Sequence, residues 1–288
     1  MTSSWMLVAG ALFAGMGVFV KLGAAYFSVA ELVFYRAVIG LLMIGAVVAA
    51  RRQSVSSPHW KTHTVRGTVG FISLLAYFYA VTQMPLAMAM TLSYTAPLFL
   101  AVMTTLILGE KFPVALIFAV VLGFSGTALI FQPSISGGYF IPALFAVCSG
   151  FFAALAYLNV RKLGSLGEPD WRIVFYFSLI ASLGASAWQA TFAAFHPITL
   201  QSGGILLGMG FCATLAQLAM TRAYSTGNTM VAGALSYSTV VYASVLGIAV
   251  WGDWLPWASW LGIAVIIAGG VIATQVETRE HGKVVIEE

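Results

Sequence analysis

Charge is what this sequence has least of. Asp, Glu, Lys and Arg together make up 8% of its 288 residues, where soluble domains carry roughly 25%. With 60% of residues hydrophobic and a mean hydropathy of +0.96, there is too little polar surface to cover the apolar side chains in water. A water-soluble globular fold is excluded, and no stretch is left over for a separate soluble domain. Cysteine is also scarce: Cys148 and Cys212 are the two in the chain, both inside apolar stretches. They read as small buried thiols, which excludes a disulfide framework and gives no metal site. Ahead of the first hydrophobic segment stand only residues 1–4, without a basic lead. That segment is therefore expected to be a retained first helix and not a cleavable signal.

What is present, almost end to end, is apolar runs of about 20 residues, the length that crosses a hydrocarbon core of about 30 Å. The runs predict an all-α membrane protein with ten spans, at 4–26, 29–50, 67–83, 87–109, 114–131, 139–160, 173–194, 203–223, 229–251 and 257–276.

The net charge of +4 is distributed as a topology signal. With a cytoplasmic N-terminus, the inner connections and the tail hold eleven of the 13 basic residues: Arg51, Arg52, Lys61, Arg66, Lys111, Arg161, Lys162, Arg172, Arg222, Arg279 and Lys283. The positive-inside rule then places both termini in the cytoplasm, in a bacterial-type inner membrane. Trp251, Trp254, Trp257 and Trp260 bracket the outer turn between the last two spans, as interfacial anchors do.

The chain repeats itself. An offset of 143 aligns Leu92-Ser93-Tyr94 with Leu235-Ser236-Tyr237, Gly109 with Gly252, Pro113 with Pro256 and Gly126 with Gly269. An offset of 141 aligns Lys21-Leu22-Gly23 with Lys162-Leu163-Gly164 and Val33-Phe34-Tyr35 with Val174-Phe175-Tyr176. The expected units are residues 1–137 and 138–276, followed by a cytoplasmic tail at 277–288. Five helices is an odd number, so the second unit enters the bilayer from the opposite side. Inverted repeats are the signature of alternating-access transporters.

Three segments carry a family resemblance: ELVFYRAVIG, LSYTAPLFLAVMTTLILGEKFP and the second-half counterpart LSYSTVVYASVLGIAVWGDWLP. They resemble the drug/metabolite transporter superfamily, in its ten-helix EamA-type branch. The resemblance implies a basket-like bundle with a central cavity lined mainly by helices one to four and six to nine, with five and ten peripheral. It also implies a carrier of small metabolites, commonly an exporter, working without a cofactor. Asp253 departs from the glutamate usual in the family. Val240 stands where the first repeat has Pro97, which leaves the two halves unequal in helix geometry.

Candidate binding residues are polar groups set within apolar helices. Arg36 lies about two turns into the second span, where a cation costs a few kcal/mol unless it snorkels, pairs or faces an aqueous cavity. Its two readings are attraction of an anionic group such as a carboxylate, and snorkelling to the outer interface. Glu31 is badly placed around the helix to pair with it, and Lys21 is the better partner for Glu31. Pro97 frees the carbonyl of Ser93 and favours a kink beside Tyr94. Tyr77, Tyr79, Tyr94 and Tyr237 offer rings and hydroxyls, and Asn159 and Gln217 offer amides, for ligand contact or for interhelical hydrogen bonds. Tyr94 and Tyr237 are symmetry mates expected to approach the cavity from opposite sides of the midplane.

Glu110 and Asp253 read as caps of the following helices. Gly204 with Gly208, and Ala258 with Gly262, have the spacing of close helix contacts. No Asp or Glu falls at a helix centre, and the first helix holds no carboxylate ahead of Lys21. This argues against a midmembrane proton relay and against small-multidrug antiport. Gly123-Phe124-Ser125-Gly126 spells the GxSG of rhomboid proteases, but no histidine falls where it can activate that serine. The sequence thus points to a non-enzymatic carrier of a small polar, amino-acid-like metabolite, functional as a monomer, in contact with lipid and not with nucleic acid. A lipid scramblase or a structural membrane protein is the alternative.

Overall fold

The computed structural model describes residues 2–83, 89, 92–109, 112–131, 139–192, 195–252 and 256–287. Among the described residues the regular elements are all helices: α1 (Trp5–Gly23), α2 (Val29–Ala50), α3 (Trp60–Gln83), α4 (Ala96–Leu108), α5 (Val114–Phe131), α6 (Phe140–Ser165), α7 (Asp170–Phe192), α8 (Leu200–Thr226), α9 (Thr229–Ser236), α10 (Ser238–Trp251) and α11 (Trp257–Glu287). Seven stretches are long and apolar enough to cross a membrane, and α9 with α10 counts as one of them, Thr229–Trp251. The shorter apolar α4 and α5 and the more polar α3 bring the crossings to ten. Large apolar side chains such as Leu106 and Val114 are 78% and 80% exposed, as suits a surface bathed in acyl chains.

Local sequence sets the helix ends. At α2 the Ser28 hydroxyl accepts from the Glu31 N–H, while the Glu31 carboxylate accepts from the Ser28 N–H at 2.8 Å. Thr199 and Ser202 repeat this reciprocal cap at α8. Helices α4 and α10 stop on Gly109 and Gly252, whose φ values of 66° and 70° lie in the left-handed region that glycine enters without a Cβ penalty. These two glycines are symmetry mates in the sequence, so both repeats end the same helix by the same device.

Two inverted five-helix repeats interlock about a pseudo-two-fold axis. Helix α1 packs on α8 while its mate α6 packs on α3, and the self-related pairs α2–α7 and α5–α11 close the bundle. The α5–α11 seam shows the symmetry at atomic scale. A Cβ on Gly126 would lie 2.6 Å from the Gly262 carbonyl, and a Cβ on Gly269 would lie 2.9 Å from the Ala119 carbonyl. The offset of 143 converts the first contact into the second. Of the two glycines of the GxSG string, Gly126 therefore serves backbone-to-backbone packing and Gly123 makes room for the Tyr237 ring. Gly208 lies against the Phe19 ring as a contact glycine should, whereas Gly204 faces open space.

Three expectations change. Helix α3 begins at Trp60, seven residues before the predicted start, because the polar residues His63 and Arg66 share its buried face with Gly67 and Gly70. Helix α11 continues to Glu287, through the segment read as a tail. The halves are also alike where Pro97 and Val240 were expected to make them differ. In the first repeat the Leu98 N–H reaches back three residues to the Thr95 carbonyl, and in the second the Val240 N–H reaches three residues to that of Tyr237. By the offset of 143 the two three-residue bonds lie one position apart, and the second repeat has its break without a proline. In the unprolinated half it is held by packing, for Gly10 of α1 sits against Ser238 and Thr239, as Gly150 of α6 sits against Ser93 and Thr95.

Candidate functional site

Five helices bring a group of polar side chains into the middle of the bundle. Arg36 on α2 is 9% exposed, and its Nε has no hydrogen-bond partner. Its guanidinium carbon lies 5.9 Å from the centre of the Phe177 ring on α7. It lines a cavity of about 20 Å³, room for about one water, together with Gly40, Ser178, Thr214 and Gln217. Arg36 is thus buried against α7 and α8, and it does not snorkel to the interface. Gln217 on α8 joins it, with its amide nitrogen buried and unpartnered.

A second cation, assigned from the sequence to an inner connection, belongs to this group. Arg66 on α3 is 2% exposed, its Nε and Nη1 are without partners, and its guanidinium carbon lies 4.1 Å from the centre of the same Phe177 ring. The two guanidinium groups are close enough to repel each other, and the Tyr157 phenol on α6 is within electrostatic reach of both. Tyr157 stacks on Tyr224 of α8, with centroids 4.5 Å apart and planes at 12°. The Tyr224 hydroxyl is buried without a partner. Arg66, Tyr157 and Tyr224 were missed in the sequence. A helical reading from Trp60 would have exposed the first, since His63, Arg66 and Gly70 then recur on one face.

The remaining candidates divide. Tyr94 and Tyr237 come together, with ring centroids 6.0 Å apart, and the Tyr237 hydroxyl donates to the Tyr94 carbonyl at 3.2 Å. They touch each other and do not face across an open cavity. Tyr237 is fully buried against Gly123. The carbonyl put to use is that of Tyr94, one residue past the expected Ser93, because the shift of Leu98 to Thr95 releases it. Ser93 packs its own carbonyl on Gly150. Pro97 is buried in the first turn of α4, facing Gly233 of α9. Tyr77 is half-buried and near enough to Tyr94 for electrostatic contact. Tyr79 is 40% exposed beside Phe145 and stands apart from the group. Asn159 donates to the Leu155 carbonyl of its own helix at 2.8 Å, so it is satisfied locally.

Polar contacts join the two repeats at opposite ends of α2. At one end His196, in the α7–α8 connection, donates its backbone N–H to Glu31 at 2.6 Å and brings Nδ1 to 2.8 Å from the same carboxylate. Glu31 is thereby engaged by His196 and Ser28, while Lys21, its expected partner, places its ammonium 4.0 Å over the Trp251 ring. At the other end Glu168, in the α6–α7 connection, accepts from the Ser57 hydroxyl and from Arg172 at 2.9 Å. Arg172 also donates to the Ser54 carbonyl at 3.0 Å. His63 stacks on Tyr176 with its Nε2 3.4 Å from Glu168. Burial acts to raise the Glu168 pKa, but the hydrogen bonds from Ser57 and Arg172 and the neighbouring positive charge outweigh it. The carboxyl therefore sits below its ordinary value. A larger groove of about 810 Å³ opens beside Trp5, Trp171 and Arg222, and shares no lining residue with the Arg36 cavity. Glu110, Asp253 and Trp254 lie outside the described residues.

A bundle of ten crossings with inverted halves around a buried polar centre defines a multi-pass membrane transporter. The EamA-like transporter family matches residues 1–132 and again 140–275, and the chain belongs to that family. It is 33% identical over 267 residues to the pseudopaline exporter CntI of Pseudomonas aeruginosa, covering 92% of this chain and 90% of that one. It is 27% identical over 285 residues to a riboflavin transporter of Vibrio cholerae, covering 96% and 93%. A solved crystal structure superposes with a TM-score of 0.84 over 96% of this chain and 98% of the other at 19% identity, which shows the same fold. The protein is a transporter and not an enzyme.

Proposed function

We propose that this protein exports a small polar, amino-acid-like metabolite across the inner membrane by alternating access, with both termini in the cytoplasm. The carrying observation is the polar centre: a buried Arg36 without an ionic partner lines a cavity of about 20 Å³, and polar contacts join the two repeats at opposite ends of α2. A structural membrane protein gains nothing from leaving a cation unpaired at that depth, where it costs a few kcal/mol. The repeats 1–137 and 138–276 are the moving units, and the helical segment beyond 276 follows them on the cytoplasmic side. Arg36, Gln217 and Tyr94, with Tyr77 nearby, form the substrate site, while Pro97 and Tyr237 shape it.

The ties act as gates. Glu31 with His196 closes the outer side and Glu168 with Arg172 and Ser57 the inner side, so that breaking one while keeping the other exposes the centre to one face. The chain works as a monomer, its apolar flanks in contact with lipid. The relatives named as pseudopaline exporter and riboflavin transporter support a metabolite as cargo. The test is a metabolite profile of cells overproducing the protein, followed by counterflow of the enriched compound in proteoliposomes. Exchange that is lost in Arg36→Gln supports the reading. Vesicles that flip labelled lipid but exchange no solute would replace it with a scramblase.

A further inference from the structure

We infer that Arg36 and Arg66 together form one site for an organic oxyanion carrying two negative charges, a dicarboxylate or a phosphate monoester. This deepens the transport reading and rests on it. The argument is one of charge. Both guanidinium groups are at least nine-tenths buried and share the Phe177 ring, and three of their N–H-bearing nitrogens have no acceptor. Every carboxylate whose side chain is described is engaged elsewhere. Glu31 holds Ser28 and His196, Glu168 holds Ser57 and Arg172, and Asp170 holds Ser225 and Arg222. The centre therefore carries two positive charges that no described residue neutralises.

Burying like charges together is unfavourable in a medium of low polarity, and the protein keeps them there without compensation. What the site offers is donors: two planar guanidinium forks and the unpartnered Gln217 amide nitrogen. Planar forks bind carboxylate and phosphate oxygens in pairs. A mono-anion satisfies one fork and leaves the other charge exposed to its neighbour, whereas a dianion satisfies both. A zwitterion with one carboxylate likewise leaves one fork unsatisfied, so an amino-acid-like solute fits when it carries a second acidic group. The cavity in this closed state has no room for such a solute, so it enters through an opened gate.

The test uses the full-length protein in detergent, with thermal unfolding as the readout. The probes are the α,ω-dicarboxylates from succinate to adipate, the monoamide of each, glycerol 3-phosphate and glycerol. The expected result is that one dicarboxylate, or glycerol 3-phosphate, stabilises the protein, and that the matching mono-anion or neutral probe needs roughly tenfold or more concentration. Which of the two works assigns the carboxylate or the phosphate source. In Arg66→Gln the preference for two charges disappears, while the unliganded protein melts no lower, because a buried unpaired charge has been removed. A residue that merely held α3 to α7 would instead lower the unliganded melting point. If Arg66→Gln does not fold, Arg66→Lys, which keeps the charge without the fork, and Arg36→Gln carry the comparison. The inference is overturned if no dianion stabilises the wild type, or if Arg66→Gln and Arg36→Gln keep the wild-type preference. Dianion binding without any solute flux in vesicles sinks the transport reading and leaves the site standing. Flux of uncharged solutes that is indifferent to Arg66 does the opposite.

Discussion

The Tyr237 hydroxyl donates to the main-chain carbonyl of Tyr94 at 3.2 Å, joining the two residues that the internal repeat makes equivalent. The bond exists because the Leu98 N–H turns to the Thr95 carbonyl, which frees the Tyr94 carbonyl for an acceptor role that an unbroken α-helix would deny it. Tyr237→Phe leaves that part-buried carbonyl without this donor. The expected cost is about 0.5–1.5 kcal/mol of stability, read as a lowered unfolding midpoint in detergent. Tyr94→Phe removes a hydroxyl that contacts Thr239 beside the substrate site. It is expected to weaken substrate binding roughly twofold to tenfold once the substrate is known.

Gly123 of α5 lies directly under the Tyr237 ring, and a Cβ there would overlap the ring atoms. Gly123→Ala must push the ring off its position, which costs about 1–3 kcal/mol for overpacking and strains the bond to Tyr94. Gly45→Ala is the control, because a Cβ at Gly45 meets nothing within 4 Å and alanine is the better helix former. A large loss of folded yield at Gly123 beside an unchanged yield at Gly45 confirms the contact. Equal yields would show that the ring is free to move.

Most of the fold was legible in the sequence, because the physics of a bilayer is severe: apolar length sets the spans, and the offset of 143 sets the symmetry. The site was legible only in part. Arg36 stood out because it interrupts an apolar run. Arg66 did not, because it follows Lys61 and His63, and a cluster of polar residues at a helix start looks like a loop. Only a helical reading of that stretch separates the outward Trp60, Val65 and Thr68 from the inward His63, Arg66 and Gly70. Tyr157 and Tyr224 have no equivalents at the repeat offsets, so symmetry gave no help, and their pairing depends on α6 and α8 meeting in space. The engagement of Glu31 by His196 joins residues 165 positions apart and leaves no local trace.

Glu168 gives the inner tie a defined response to acid. Its carboxyl is held below the ordinary value of 4.5, so the charged form is the one the folded protein favours. The stability it contributes is fully present above that ordinary value and is lost as pH falls through the lower folded value. The unfolding midpoint of the wild type should therefore exceed that of Glu168→Gln by a constant amount from neutral pH down to about 5. The difference should shrink only in stronger acid. A difference that changes between pH 8 and 6 would mean that His63, stacked on Tyr176 beside Glu168, controls the tie instead.

The two ties are predicted to be opposed, so that weakening either one exposes the same buried position to a different face. Ser178 lines the cavity with Arg36 and is buried, which makes Ser178→Cys a reporter on a background where Cys148 and Cys212 are replaced by serine. With both ties intact, an impermeant thiol reagent should label it slowly from either side. Glu31→Gln weakens the contacts with His196, charge-assisted bonds worth about 1.5–3 kcal/mol, which corresponds to a roughly tenfold to hundredfold rise in the outward-open population. Labelling in intact cells should rise accordingly. Glu168→Gln should raise labelling in inside-out vesicles and not in intact cells, and a cysteine at Ser56, in the connection before α3, should be protected in intact cells. If the two variants exchange sides together with Ser56, the orientation of the chain is inverted and the gates stand. If neither variant changes the labelling of Ser178→Cys from either face, Glu31 and Glu168 hold loops in place and the gates lie elsewhere.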